Sequence, residues 1–576
     1  MLNELSGVAS YLIDAGQALG HGKPAMPQAG TRPQGRPGPG CPPVPHPGVT
    51  SSRFGEAICM KRRLMMVMAM AVPLAASLTP VAVNAATPDG GTPAGTTCTA
   101  VPVSAPSGTA VVSVKAVARA GGDFTFPSVP GLPQNPPIYA VPDWCDINVV
   151  VTHPGANDTV TIKVSLPQNA KNWNGRFQGT GGSAYSAGDL SDLSVPLISA
   201  VKGGYVGAAT DAGVKTGLDA SWGLTADGEI NTGLLTNFAS RSVHDMAVIG
   251  KDVANRFYHR PVKYSYFTGC STGGRQGYAE AQNYPTDFQG ILANAPAIEW
   301  NRFEIATLWS QAVYNEEKVA PSQCELAAFN TAAVAACDTS DGVKDGVIDD
   351  PQDCKWDARR LVGKKVVCEG EEITITKAVA DAVNKIWAGP VSPSGKKLWY
   401  GQNKGSAFNY IANPGAPFQV PDQWAKYFVT KNPSYDSSKL TYKTFTQLFT
   451  SATKQYDSII ANNNPNLSRF AEAGGKLLTW HGQSDQLIPT QGTVDYRMHV
   501  NDTLGGNKRV NNFYRLFLLP GVDHCGTPLF STGPLVNPGA DLNALVDWVE
   551  KGHAPATLPA TSVDGTTASN IHHYPR

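Results

Sequence analysis

Residues 269–273 read Gly-Cys-Ser-Thr-Gly, a serine flanked by small residues at the spacing G-x-S-x-G. A serine hydroxyl is a weak nucleophile until a base takes its proton, so this serine calls for a histidine and a carboxylate delivered from elsewhere in the chain. Two later segments offer them. Asp485 closes the run His481-Gly482-Gln483-Ser484-Asp485, and His524 lies in Pro520-Gly521-Val522-Asp523-His524-Cys525-Gly526. The chain order serine, acid, histidine is the one expected when all three sit in loops at the ends of strands of one sheet. The expected roles are Ser271 as nucleophile, His524 as the base that later returns the proton to the leaving alcohol, and Asp485 as the group that fixes the imidazole and stabilises its charged form. The plainer alternative makes His481 a turn cap, Asp523 a solvated loop acid and His524 a surface histidine. The cysteines argue against it, because Cys270 precedes Ser271 and Cys525 follows His524. If these two pair, bridged Cα atoms about 5.5 Å apart and neighbouring ones about 3.8 Å apart keep Ser271 and His524 within about 13 Å at Cα. An oxyanion hole needs two backbone N–H groups. One is expected from Thr272, and Gly181 and Gly182 in the glycine-rich stretch 175–188 are the candidates for the second.

The elements that would hold these residues are legible as apolar runs. Val262 to Thr268 is β-branched and aromatic and predicts a buried strand, and Gly274 to Ala281 predicts a helix ending before Pro285. Strand, tight turn and helix around a serine make a nucleophile elbow, the mark of the α/β-hydrolase fold. Lys476–Trp480 and Arg515–Leu519 predict the strands that carry Asp485 and His524, and Val160–Leu166 an amphipathic strand ahead of the glycine-rich loop. More than two hundred residues separate Ser271 from Asp485, far more than a strand-to-strand connection uses. The expected organisation is a catalytic domain from 86–300 and 466–576, with a lid domain inserted at 301–465.

Composition narrows the partners. The 576-residue chain is 42% hydrophobic and 16% charged, and its 46 basic residues balance 46 acidic ones, so nothing draws it to nucleic acid or an anionic membrane. A small molecule is the expected partner. Lys61-Arg62-Arg63, the apolar run Leu64–Leu78 and Val83-Asn84-Ala85 have the layout of a secretory signal peptide starting at Met60. The run is too short for a stable membrane anchor. Residues 1–59 then read as a disordered, non-native upstream extension, 60–85 as the signal, and the mature protein as secreted or periplasmic. Eight of the ten cysteines follow the cleavage site, an even number that in an oxidising compartment implies four disulfides. Between Asp338 and Asp349 four carboxylates fall within twelve residues, with glycines between them. Such a cluster would repel itself unless a hard cation such as Ca²⁺ neutralised it.

GCSTGGRQG at 269–277, DGVKDGVID at 341–349, HGQSDQLIP at 481–489, the His524-Cys525 pair and ALVDWVEKGHAP at 544–555 resemble the tannase and feruloyl esterase family, from about Cys98 to the C-terminus. The family also contains the enzyme that hydrolyses mono(2-hydroxyethyl) terephthalate. The resemblance implies a carboxylic ester hydrolase acting on small esters of aromatic acids. It implies a Cys270–Cys525 bridge and a structural Ca²⁺ held by the side chains of Asp338, Asp341 and Asp345 and the carbonyls of Val343 and Val347. Cys337 and Cys354, which bracket that loop, are expected to pair. Cys98–Cys145 matches the family's N-terminal bridge, which leaves Cys324 with Cys368. Gly526-Thr527-Pro528 departs from the more glycine-rich loop expected after the histidine. Nine aromatic residues between Trp387 and Phe428 could wall an aryl pocket, most of them serving the insertion's own core. The rival readings are a non-catalytic binding protein with a hydrolase fold and a serine peptidase.

Overall fold

Alternating apolar residues place successive side chains on opposite faces of a strand, and in this protein both faces are covered. The computed structural model describes residues 97–127, 134–214, 217–528 and 530–575. The expected signal segment and the stretch before it lie outside these residues. The strands are β1 Ala110–Arg119, β2 Gly122–Phe124, β3 Ile138–Val141, β4 Trp144–Thr152, β5 Val160–Pro167, β6 Arg176–Thr180, β7 Val206–Thr210, β8 Tyr264–Cys270, β9 Gly290–Asn294, β10 Lys365–Cys368, β11 Glu371–Thr374, β12 Lys476–Gly482, β13 Tyr514–Leu519, β14 Leu535–Val536, β15 Thr557–Thr561 and β16 Ala568–Tyr574.

Twelve of them form one sheet in the order β1-β4-β5-β7-β6-β8-β9-β12-β13-β16-β15-β14. Its centre, from β7 through β13, is parallel, and the outer strands are antiparallel. The period-2 pattern sorts the core. Phe267, Leu477 and Leu516 face one cluster with Val243, Met246 and Val253 of the helix Ser242–Tyr258. Tyr266, Leu478 and Phe517 face the other with Leu545 and Trp548 of the helix Ala540–Lys551. A largely parallel sheet with helices on both faces and a serine at the β8-to-helix turn is the α/β-hydrolase fold.

Between β9 and β12 the chain makes helices, among them Trp300–Thr307, Gln323–Cys337 and Tyr442–Ile460, and the hairpin β10–β11, and adds no strand to the large sheet among the described residues. This insertion shares its core with the rest. Trp300, Trp424 and Phe428 pack in one cluster with Tyr185, Trp222 and Phe238, with ring centroids 5.4 Å apart for Trp222–Phe428 and 5.7 Å for Phe238–Trp300. The described residues accordingly form one compact unit.

Three local expectations need correction. The strand before Ser271 runs from Tyr264 to Cys270, two residues later than the apolar run suggests, so it leads directly into Ser271. Val160–Pro167 is not amphipathic, since only Thr161 is incompletely buried, because β5 lies between β4 and β7 with both faces covered. The glycine-rich stretch is not all loop, because Arg176–Thr180 is β6, paired to β7 and β8 and anchored by fully buried Phe177.

The shared cluster sets an expectation for stability. Trp424 stacks on Phe428 at 4.1 Å and meets Trp300 edge-on at 5.7 Å. Trp424→Ala should cost about 3–5 kcal/mol, as large-to-small changes of buried aromatics do. Urea unfolding should give, within each protein, fluorescence and circular-dichroism curves that coincide, with the variant's shared midpoint lower than that of wild type. An insertion that melted separately would contradict a shared core.

Candidate active site

Ser271 alone joins β8 to the helix Thr272–Asn283, and it does so at φ 63° and ψ −123°, a backbone conformation that L-residues rarely adopt. The surroundings enforce it. The Ser271 N–H donates to the Asn294 carbonyl at the end of β9 (3.1 Å), and the Ser271 carbonyl accepts from Ala297 and Arg275 (both 3.0 Å). Small neighbours are required, because a Cβ on Gly269 would lie 2.5 Å from the carbonyl carbon of Gly273.

Asp485 follows the end of β12 and is 2% exposed. Its Oδ1 accepts the N–H groups of Leu487 and Ile488, each at 2.8 Å. Its Oδ2 accepts from His524 Nδ1 at 2.8 Å and from His481 Nε2 at 3.0 Å. Burial pushes the carboxyl up, but the charge of His524 and the hydrogen bonds from His481 and His524 outweigh it and hold Asp485 well below the usual carboxylate range. For His524, burial pulls the imidazole down, and the charge and hydrogen bond of Asp485, with Asp523 adding to them, more than reverse this and raise it. With Nδ1 committed to Asp485, Nε2 is the nitrogen left for a serine proton. The backbone is fixed too, by a hydrogen bond from His524 N–H to Gln486 Oε1 at 3.0 Å.

The third side of the constellation is covalent. Cys270 and Cys525 are bridged with their Cα atoms 5.9 Å apart, across a sequence separation of 255, so the residue before the serine is tied to the residue after the histidine. Among the described residues no hydrogen bond joins Ser271 Oγ to His524, a contact that commonly tightens only with substrate bound. Cys98–Cys145, Cys324–Cys368 and Cys337–Cys354 are also bridged, as expected.

The oxyanion expectation divides. Thr272 opens its helix, so its N–H has no intrahelical acceptor. The two glycines do not provide the second donor, because the Gly181 N–H donates to the Thr268 carbonyl (2.9 Å) and the Gly182 N–H to Gln276 Oε1 (3.0 Å). They are glycines for reasons of space. A Cβ on Gly181 would lie 2.5 Å from Gly273 Cα, and one on Gly182 1.9 Å from the Ser186 carbonyl oxygen.

His481 is the residue that the sequence underrated. It is not in a loop but is the penultimate residue of β12, wholly buried, with Nδ1 2.9 Å from Thr493 Oγ1 and Nε2 on Asp485. The four-residue spacing to Asp485 was the available signal. In the acidic loop, Asp338 Oδ1 accepts the N–H groups of Asp345 (2.9 Å) and Gly346 (2.8 Å), Asp341 Oδ1 that of Val343 (2.9 Å) and Asp345 Oδ1 that of Val347 (3.1 Å). Each carboxylate keeps its second oxygen outside these bonds. The donor chemistry suits a hard cation, although among the described residues no three such groups converge on one point. Of the insertion's aromatics, Trp424, Phe428 and Phe408 are deeply buried, whereas Tyr410 and Phe418 are partly exposed and meet at 6.1 Å. Tyr410 also meets Phe530, six residues past His524, at 5.9 Å.

The bridge makes a testable demand. It borders, at Cys525, a cavity of about 170 Å³ lined in part by Trp480, Gly526 and Asp541. The double variant Cys270→Ala/Cys525→Ala should lose about 2–4 kcal/mol of stability, and its activity should fall by a larger factor than its far-ultraviolet circular dichroism. An unchanged kcat in the double variant would show that the bridge does not position His524.

Comparison with known proteins agrees with this architecture. The sequence profile of the family "Tannase and feruloyl esterase" matches residues 145–576. A probable feruloyl esterase of Arthroderma benhamiae is 45% identical over 487 residues, covering 81% of this chain and 88% of that protein. The tannase of Aspergillus oryzae is 28% identical over 486 residues, covering 74% and 81%. Among solved structures, the tannin acyl hydrolase of Aspergillus niger superposes with a TM-score of 0.73 at 26% identity, covering 81% of this chain and 89% of that one. Feruloyl esterase B of Aspergillus oryzae gives 0.69 at 28% identity, covering 82% and 93%. The chain therefore belongs to the tannase and feruloyl esterase family and is a carboxylic ester hydrolase.

Proposed function

We propose that this protein is an exported serine esterase that cleaves esters of hydroxybenzoic, hydroxycinnamic or terephthalic acids through Ser271, His524 and Asp485. The observation that carries the reading is the 2.8 Å bond from His524 Nδ1 to Asp485, on a loop that the Cys270–Cys525 bridge ties to the serine. His524 Nε2 takes the Ser271 Oγ proton as Oγ attacks the ester carbonyl, and the oxyanion that develops meets the Thr272 N–H. Collapse expels the alcohol, which receives its proton from His524, and water then releases the acid by the same route. Asp485 stays ionised throughout and stabilises the imidazolium. The names of the relatives, feruloyl esterase and tannase, support an aromatic acid as the acyl group. So do the half-exposed rings of Tyr410, Phe418 and Phe530 beside the His524 loop. Export is supported by four disulfides, which persist in oxidising compartments. Among the described residues no helix is long and apolar enough to cross a membrane.

The test compares initial rates on methyl ferulate, methyl gallate and mono(2-hydroxyethyl) terephthalate with those on aliphatic esters and aryl amides of similar size. The aryl esters should show the highest kcat/KM, and Ser271→Ala should lower it by about 10³-fold or more with unchanged circular dichroism. Activity needs the neutral ring of His524, so it is present above that residue's pKa and lost as pH falls through it. Because Asp485 raises His524, this limb should lie above the ordinary imidazole value of about 6.5. Retention of more than a few per cent of activity in Ser271→Ala would overturn the assignment.

The loop at 338–349 is proposed to hold a structural Ca²⁺ through the side chains of Asp338, Asp341 and Asp345 and the carbonyls of Val343 and Val347. No chemical step passes through it. A ligand that binds only the folded state stabilises it by mass action, about 2.7 kcal/mol at a hundredfold excess over Kd. Chelation should therefore lower Tm and added Ca²⁺ should restore it. Equal melting curves, with metal analysis showing the chelated sample to be stripped, would refute the site.

A further inference from the structure

We propose that His481 is a positioning residue of the active site: it anchors the Asp485 carboxylate at the same oxygen that His524 contacts and takes up part of its charge, so that it sets how strongly His524 holds its proton. The proposal rests on the triad reading above. An ionised carboxylate can only accept, so the 3.0 Å contact places the proton on His481 Nε2, and Nδ1 is secured by Thr493 Oγ1 at 2.9 Å from the helix Thr490–Leu504. Oδ2 of Asp485 thus carries two imidazole donors while Oδ1 carries two backbone N–H donors. Four donors fill the accepting capacity of a carboxylate, so turning the group away from His524 would break the bonds from His481 and the two backbone N–H groups.

The charged and titratable groups around this pair can be named from each side. Asp485 is faced by His481, His524 and Asp523; His524 is faced by Asp485 and Asp523; and Asp523, held by the hydroxyls of Thr527 and Ser531, is faced from the insertion by Tyr410. Of these, only His481 and His524 donate to Asp485 Oδ2. Removing the His481 donor leaves the negative charge less dispersed and His524 as its sole imidazole partner, which strengthens the hold of Asp485 on the protonated ring. The base is then harder to free at a given pH and less well placed when it is freed.

The experiment measures pH profiles of kcat/KM and plateau kcat for full-length wild type, His481→Leu, His481→Gln and Thr493→Val on methyl ferulate. His481→Leu should move the acid limb upward by about half a pH unit or more and lower plateau kcat by about tenfold, with KM within about twofold. His481→Gln, whose amide N–H can reach the same oxygen, should recover most of both effects. Thr493→Val keeps the side-chain shape and only frees Nδ1, so it should shift the limb in the same direction by less, and it decides the question if His481→Leu does not fold. Acid limbs in the folded variants that match wild type, with only Tm lowered, would reduce His481 to a packing residue and overturn the proposal. Ser271→Ala, assayed alongside, reports separately on the triad: its retained activity would remove that reading, whereas its inactivity beside an unmoved acid limb would remove only the role of His481.

Discussion

A carboxylate taken out of water must have its lone pairs answered, and the chemistry-bearing end of this sheet is organised around that demand at Asp485. Its four donors come from three separate places: the turn that follows it, the strand that precedes it and the loop beyond β13. Satisfying it therefore fixes the end of β12 against the end of β13. Gly482 shows how closely the two approach, since a Cβ there would lie 2.2 Å from the Val522 carbonyl oxygen. The covalent bridge completes the arrangement on the other side. Where one buried charge draws the Asp485 and His524 loops together, the Cys270–Cys525 bond draws the His524 loop to the Ser271 turn. Neither constraint alone would position three side chains.

The insertion is part of this frame rather than an attachment to it. Its Asn403 and Gln402 donate to the carbonyls of Gln483 (2.9 Å) and Gln486 (3.3 Å), which flank Asp485, and its Val420 carbonyl accepts the hydroxyl of Tyr185 (2.8 Å), which follows the glycine pair Gly181-Gly182. These bonds tether the acid loop and the glycine loop to a segment whose apolar rings share a core with Trp222 and Phe238.

What the sequence made legible was chiefly what local chemistry dictates. The elbow announced itself because a serine at φ 63° tolerates only small neighbours, and Asp485 and His524 because each lies in the loop that follows an apolar run that becomes a strand. The four bridges followed from the family resemblance. The errors share a cause, which is that long-range pairing decides them. Arg176–Thr180 lies amid glycines and reads as loop, yet it becomes a central strand because β7 and β8 flank it. His481 reads as the start of a turn because its buried partner in space, Thr493, belongs to the next helix.

The glycine pair carries the same point into mechanism. Glycine near a serine nucleophile suggests a backbone N–H opened toward an oxyanion, but it has a second use, which is to let two main chains approach where no Cβ fits. Here the second use prevails: Gly181 and Gly182 pack against Gly273, whose N–H donates to the Gly182 carbonyl at 2.9 Å, and their own N–H groups are already engaged. The first turn of the elbow helix is thus clamped by the glycine loop, and the Thr272 hydroxyl adds a bond to the Ala184 carbonyl at 2.6 Å. A clamp of this kind holds the first turn of the elbow helix, and with it the strained Ser271 beside it, in one conformation. Composition alone cannot separate a glycine that donates from one that yields space; the acceptors of their N–H groups do, and here Thr268 and Gln276 place both glycines in the scaffold.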